Sequence, residues 1–264
     1  MPVLIDAHAH LSWRSPGSDW EARDDGFIDA ADRLGIDQLC CSTLTPVRPS
    51  DPDGFRQAND WVADGMARYP GRVLGYCYVN PGWTREALEE IRRRIEDDGF
   101  IGVKLYNEYF ANEPVVFPVV ELCIELGVPI LHHAGHSHYY VAAQPRMSDG
   151  GMIAELSRRY PEAMLICGHV GGGGDWEWTI KALRDAPAAF LDTSGSVIDE
   201  GMIEMAARIL GADRLLFACD MSMTAGVGKM LGARLTEAER ARIFGENMQG
   251  ILARRGRAGR GEAR

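Results

Sequence analysis

Lysine is nearly absent from the 264 residues: only Lys104, Lys181 and Lys229 occur, and arginine carries the remaining positive charge. With 38 acidic against 28 basic residues, the formal net charge of −10 excludes the broad basic face that non-specific nucleic-acid or anionic-membrane binding requires. No stretch approaches the roughly 20 apolar residues needed to span a bilayer. The start, Met1-Pro2-Val3, has neither the charged region nor the apolar core of a secretion signal, so a cytoplasmic location is expected. The six cysteines form no Cys-x-x-Cys pair and mostly sit inside apolar runs. A chain of this size needs no disulfide staples, so they are expected to be reduced and buried. The glycines at 171–174 lack the Gly-Lys-Ser/Thr ending of a phosphate loop and read as a flexible turn. There is no internal repeat, and no Pro/Gly/Ser-rich linker divides the chain. One domain over residues 1–253 is expected, followed by an Arg/Gly-rich tail, 254–264, that reads as a solvated terminus.

What is present begins at residue 3. Val3-Leu4-Ile5 leads into an alternation in which Asp6, His8 and His10 take every second place. In a β-strand the side-chain period is two, so these three project from one face and the small Ala7 and Ala9 from the other. Two imidazoles on one face at i and i+2 can share a cation, since neutral imidazole is a common metal ligand.

Seven further apolar, β-branched runs follow: residues 35–43, 72–80, 100–106, 128–133, 163–169, 189–194 and 214–220. Helix-like segments stand between them, among them 27–34, 55–68 and the charged amphipathic stretch 84–97. A last helix is expected over 236–252, opened by a capping box, Thr236-x-x-Glu239. Eight strands alternating with helices imply parallel β-α-β units, and eight such units close into a (β/α)8 TIM barrel. Functional groups of a barrel gather at the C-terminal ends of its strands. All seven histidines (His8, His10, His132, His133, His136, His138 and His169) lie at or just beyond the ends of the first, fifth and sixth runs. Asp220 closes the eighth run and Lys104 lies near the end of the fourth.

Several segments in fixed order carry a family likeness: Ile5-Asp-Ala-His-Ala-His10, Tyr69-Pro-Gly-Arg72, Tyr78-Val-Asn-Pro81, Gly99-Phe-Ile-Gly-Val-Lys-Leu105, Gly127-Val-Pro-Ile-Leu-His-His-Ala-Gly135, Ile166-Cys-Gly-His-Val-Gly-Gly172, Asp213-Arg-Leu-Leu-Phe-Ala-Cys-Asp220 and Ile243-Phe-Gly-Glu-Asn247. With them the chain resembles the amidohydrolase superfamily, and most closely its amidohydrolase-related branch. The resemblance implies that His8 and His10 are paired metal ligands and that His133, four residues after the proline, is the strand-five ligand. His169 corresponds to a histidine that binds metal or orients substrate and water. Asp220 corresponds to a metal ligand that also takes a proton from the attacking water. Asp6, on the histidine face but deeper, is either a partner of these ligands or an acceptor for backbone donors.

Imidazole and carboxylate donors suit Zn²⁺, with Mn²⁺, Fe²⁺ or Ni²⁺ as alternatives, and the resemblance implies one ion rather than two. Lys104 admits three readings: a free ammonium holding an anionic substrate, a carbamate bridging two metals, or a structural lysine. Substrate contacts are expected from Lys104, Trp13, Tyr106, His136, His138 and Arg146, on loops that also hold Tyr139 and Tyr140. Aromatics interleaved with arginine suit a planar or carboxylated small molecule. The expected partners are that small molecule and, in a homodimer, a second copy of the chain. The expected reaction is hydrolysis of an amide, lactone or ester by activated water, with Asp220, His169 and Lys104 as its catalytic groups. Decarboxylation of an aromatic or unsaturated acid at the same site is the alternative, and an inactive metal-binding barrel is a second.

Overall fold

The computed structural model describes residues 3–138, 141, 142 and 144–255; Tyr139, Tyr140 and most of the basic tail lie outside them. Each apolar run forms a strand, shorter than the run itself: β1 (Ile5–His10), β2 (Gln38–Ser42), β3 (Val73–Tyr78), β4 (Gly102–Leu105), β5 (Ile130–His133), β6 (Leu165–Gly168), β7 (Ala189–Asp192) and β8 (Leu215–Leu216). They pair in parallel in sequence order, from β1–β2 to β7–β8. Between them run α1 (Trp20–Arg33), α2 (Pro52–Arg68), α3 (Thr84–Glu96), α4 (Phe117–Leu126), α5 (Gly150–Arg159), α6 (Trp176–Leu183) and α7 (Met202–Leu210), with α8 (Met223–Gly232) after β8. The fold is a (β/α)8 barrel.

Strand alternation sorts the apolar residues into two layers. Ile5, Cys40, Tyr76, Leu131, Ile166 and Leu216 form one buried cluster, the packed interior of the barrel. The opposite strand faces, with Leu39, Val103 and Ile130 among them, join the larger cluster that buries helix residues such as Phe55, Ile91 and Ile180. All six cysteines are buried and unpaired, as expected. Among the described residues no helix is long and apolar enough to cross a membrane.

Three elements depart from expectation. The eighth run yields a strand of only two residues, because the chain then leaves the ladder for β1. There Ala7 N–H donates to Phe217 O and Asp220 N–H donates to His8 O, both at 2.8 Å. Helix α1 starts at Trp20 rather than Phe27: its first turns lack apolar periodicity, but Asp24 is buried there and accepts from Ser12 N–H at 2.9 Å. The final helix is broken into α9 (Glu237–Ala241), a π turn (Arg242–Glu246) and α10 (Asn247–Leu252), with the Thr236–Glu239 capping box in place. The wider turn accompanies an outside bond, in which Ile243 O accepts from Phe217 N–H at 2.9 Å. Gly245 is required at this turn, since a Cβ there would sit 1.8 Å from Val3 O.

Candidate metal centre

The site is built from the C-terminal ends of β1, β5 and β6 and the segment after β8. His8 is fully buried. Its Nδ1–H donates to Asp192 Oδ2 at 2.7 Å, which leaves the Nε2 lone pair to face inward. That nitrogen lies 2.6 Å from Lys104 Nζ and 3.8 Å from Asp220 Oδ1. His10, one strand period further, turns Nδ1 toward Ser42 (3.2 Å from its carbonyl, 3.1 Å from Oγ) and Nε2 toward Asp220 Oδ1 at 3.1 Å. One donor atom each from His8, His10 and Asp220 therefore lies within 4.8 Å of the others. Imidazole nitrogens and a carboxylate oxygen so grouped are the donor set of a divalent-metal centre.

His169 and His133 complete the wall. His169 stacks on His8 with ring centroids 4.6 Å apart, its Nδ1 is 2.7 Å from Ser194 Oγ, and its Nε2 is 2.9 Å from His133 Nδ1. Ser194 Oγ–H in turn donates to Asp192 Oδ1, so His169 Nδ1–H donates to Ser194. His133 Nε2–H donates to Gln144 Oε1 at 3.3 Å, which leaves the His133 Nδ1 lone pair facing His169 Nε2. The backbone supports the same convergence, since His169 (φ 69°) and Asp220 (φ 46°) both hold left-handed conformations that L-residues seldom adopt.

Burial sets the charge states. It pushes His8 down to about 3, helped by the Lys104 ammonium and opposed by Asp192, so this imidazole stays neutral and able to ligate. Burial likewise pushes Lys104 down to about 8 against the pull of Asp220, Asp192 and Glu108. For Asp192, burial acts to raise the pKa, but the His8 ring and its hydrogen bond, with His169 and Ser194, hold the carboxyl well below the usual range. Asp220 behaves the same way, its burial outweighed by the His10 hydrogen bond and the neighbouring histidines.

Asp192 is a member of this cluster that sequence reasoning missed. It ends β7, has no exposed surface, and accepts from His8, from the His169 and Ser194 N–H groups at 2.9 Å, and from the Ser194 hydroxyl. Its signal was available: an acid closing a buried run, Ala189-Phe-Leu-Asp192, at the catalytic end of the barrel. Asp6 proves to be an acceptor for backbone donors, its Oδ1 taking His8 N–H at 3.0 Å and Cys219 N–H at 3.1 Å. The carboxylate thus stitches β1 to the chain after β8 where the ladder fails. His132 stays apart from the cluster, donating Nδ1–H to His133 O at 2.8 Å, with Nε2 buried and unpaired.

Above the histidines opens a cleft of about 460 Å³, walled by His133, His169, Asp220, Val141, Gln144 and the glycines 171–174. Of the residues expected to contact substrate, Tyr106 and Lys104 reach this centre. Tyr106 packs 4.4 Å from the His133 ring and accepts a hydrogen bond from Gln144 at 3.1 Å. None of the six expected residues lines the cleft itself. Trp13 is 43% exposed on the loop after β1. Arg146 donates to Glu108 O at 2.9 Å and borders a side pocket with Arg48 and Asn107. His136 and His138 turn outward to Asp175, because the glycine-flanked turn that carries them folds down on the loop before α6.

A parallel barrel with imidazole and carboxylate donors gathered at its C-terminal mouth defines a metal-site TIM-barrel protein. The Amidohydrolase family model matches residues 5–247, and the chain belongs to that family. Among curated proteins it is similar to a gamma-resorcylate decarboxylase from Polaromonas sp., 23% identical and aligned over 90% of this chain and 91% of that one. It is also similar to a gamma-resorcylate decarboxylase from Rhizobium sp., 25% identical over 78% of this chain and 80% of that one. Among solved structures, the dihydroxybenzoic acid decarboxylase from Polaromonas sp., with bound manganese and the inhibitor 2-nitroresorcinol, superposes with a TM-score of 0.73 at 20% identity, covering 96% of this chain and 97% of that one. These relatives overturn the expectation of hydrolysis: they are decarboxylases, the alternative raised from the sequence. The expectation of zinc gains no support from them either, since the metal named is manganese.

Proposed function

We propose that this chain is a divalent-metal-dependent decarboxylase of a small aromatic carboxylic acid with a hydroxyl group beside the carboxyl. The observation that carries this reading is the convergence of His8, His10 and Asp220 at the floor of a cleft, in a chain whose curated relatives decarboxylate such acids. His8, His10 and Asp220 would hold the ion, with His133 beside them. His169, which turns Nδ1 to Ser194 and Nε2 to His133 at the cleft wall, is read as a proton-handling group. Manganese is the favoured ion, and the donor set also accepts zinc.

When bound, the metal supplies positive charge for the substrate carboxylate and the neighbouring oxygen. The rest belongs to the chain. In the reaction the bond between ring carbon and carboxyl carbon breaks, carbon dioxide leaves, and a proton must reach the vacated ring carbon. His133, His169 and Asp220 are the titratable groups shared by the cluster and the cleft wall, so the proton passes through this group. The string Asp192–Ser194–His169–His133 keeps His169 oriented, and the buried negative end at Asp192 polarises it. Tyr106, packed between His133 and the Arg48 guanidinium, holds the His133 ring in place. Lys104 is read as an unmodified ammonium beside a single metal, because its Nζ–H meets the His8 lone pair directly.

Mass spectrometry of the manganese-loaded protein, incubated with hydroxybenzoates and, separately, with aromatic lactones and amides, tests the reading. Loss of carbon dioxide from a hydroxybenzoate is expected. Addition of water to a lactone or amide, with every hydroxybenzoate intact, would refute it.

A further inference from the structure

Two histidines that the central cleft does not use meet a carboxylate beside its rim. The turn after β5 lies on the loop before α6: His136 N–H donates to Gly172 O, and Asp175 N–H donates to His136 O, both at 3.1 Å. Asp175 divides its two oxygens. Oδ1 caps α6 by accepting from Trp178 N–H at 3.0 Å, while Oδ2 lies 3.0 Å from His138 Nε2 and 4.0 Å from His136 Nε2. Asp149 is divided the same way, its Oδ1 capping α5 and its Oδ2 accepting from His136 Nδ1–H at 3.2 Å. That bond fixes the tautomer, leaving the His136 Nε2 lone pair toward Asp175. Trp178 stacks on the His136 ring at 4.9 Å and holds its plane.

We propose that His136, His138 and Asp175 form a second metal site, for a borderline divalent cation such as Zn²⁺. One donor atom from each residue lies within 4.8 Å of the others. Tetrahedral zinc with bonds of about 2.0–2.1 Å separates its ligand atoms by about 3.3 Å. The two gaps to Asp175, 3.0 and 4.0 Å, bracket that value, and the third lies within the same 4.8 Å limit. A simple ion pair accounts for His138 and Asp175 but leaves His136 Nε2 beyond hydrogen-bond reach; a cation between them satisfies all three. The Asp149–His136 bond is the carboxylate–histidine arrangement that orients a metal ligand. Two imidazoles and one carboxylate favour zinc over the hard, oxygen-seeking Ca²⁺ or Mg²⁺. An ion here would clasp the β5–α5 loop, which gives Val141, Gln144 and Met147 to the cleft wall, onto the glycine loop after β6. It would thereby hold the rim in shape without touching substrate.

The test counts zinc bound to the full chain after equilibrium dialysis, for the wild type, His138→Ala, Asp175→Asn and His8→Ala. Asp175→Asn keeps an oxygen to cap α6, and His138 is a largely exposed side chain, so both variants are expected to fold. The wild type should bind two ions, and His138→Ala and Asp175→Asn one each. If these two variants bind as many ions as the wild type, the second site does not exist. His8→Ala reports on the central site alone, so failure there and failure here are separable.

Discussion

Replacing Asp192 by Asn tests how the centre is assembled, because the change keeps shape and removes one acceptor. The two carboxylate oxygens receive four donors: His8 Nδ1–H on one, and His169 N–H, Ser194 N–H and the Ser194 hydroxyl on the other. An amide cannot receive all four. With its oxygen toward His8, its NH₂ confronts two backbone N–H groups that cannot turn away. With its NH₂ toward His8, the imidazole must surrender the Nδ1 proton and carry it on Nε2, the nitrogen that faces Asp220, and no lone pair remains for a cation. Loss of such a partner costs about 10–100-fold in metal affinity, or about 1.4–2.7 kcal/mol at about 1.4 kcal/mol per factor of ten. A buried donor left without its acceptor costs a further 1–3 kcal/mol or so of stability. Calorimetric titration of the apo-protein with Mn²⁺, alongside urea denaturation, measures both. A folded Asp192→Asn protein that binds Mn²⁺ as tightly as the wild type would refute this account of His8.

Three further outcomes follow from particular contacts. Lys104 Nζ occupies the single His8 lone pair that faces Asp220, so Lys104→Met should tighten Mn²⁺ binding by about tenfold, removing both a competing donor and a buried ammonium; weaker binding in the same titration would contradict it. His132, pushed down to about 4 by burial, stays neutral in the folded chain between that value and its unfolded pKa near 6.5. The unfolded chain binds the extra proton there, so stability falls as pH drops through this window, and His132→Leu should flatten the fall by about 1.4 kcal/mol per pH unit in urea titrations. Gly245→Ala drives a Cβ into Val3 O and should cost about 1–3 kcal/mol, read as a lowered thermal midpoint; an unchanged midpoint would mean the π turn relaxes without effort.

Much of this was legible in the sequence for a simple reason. Parallel strands are buried on both faces and leave apolar runs, and a barrel gathers its chemistry at one end of each run. The alternation from Asp6 to His10, the histidines after the proline at 129, and the terminal Asp220 therefore point to the same end of the barrel. Asp192 escaped because an acid followed by Thr-Ser also reads as the polar start of a loop, and only its distance to His8 separates the two. The outward turn of His136 and His138 escaped because strand spacing predicts direction only while the strand lasts, and β5 ends at His133. Asp6 shows the same limit from the other side: its spacing placed it with the histidines, but a bulge between Asp6 and Ala9 sends its carboxylate to backbone donors. The choice between hydrolysis and decarboxylation could not be made from the ligands, since one donor set can place a metal beside water or beside a carboxylate. The curated relatives favour decarboxylation.

The most direct test of the central claim is carbon dioxide release from 2,6-dihydroxybenzoate, compared among the manganese-loaded wild type, the chelator-treated wild type and Asp220→Ala. The account predicts release with the wild type, matched by the appearance of the corresponding arene, and loss of that release after chelation and in the variant. Release that survives chelation, or that Asp220→Ala leaves unchanged, would contradict it.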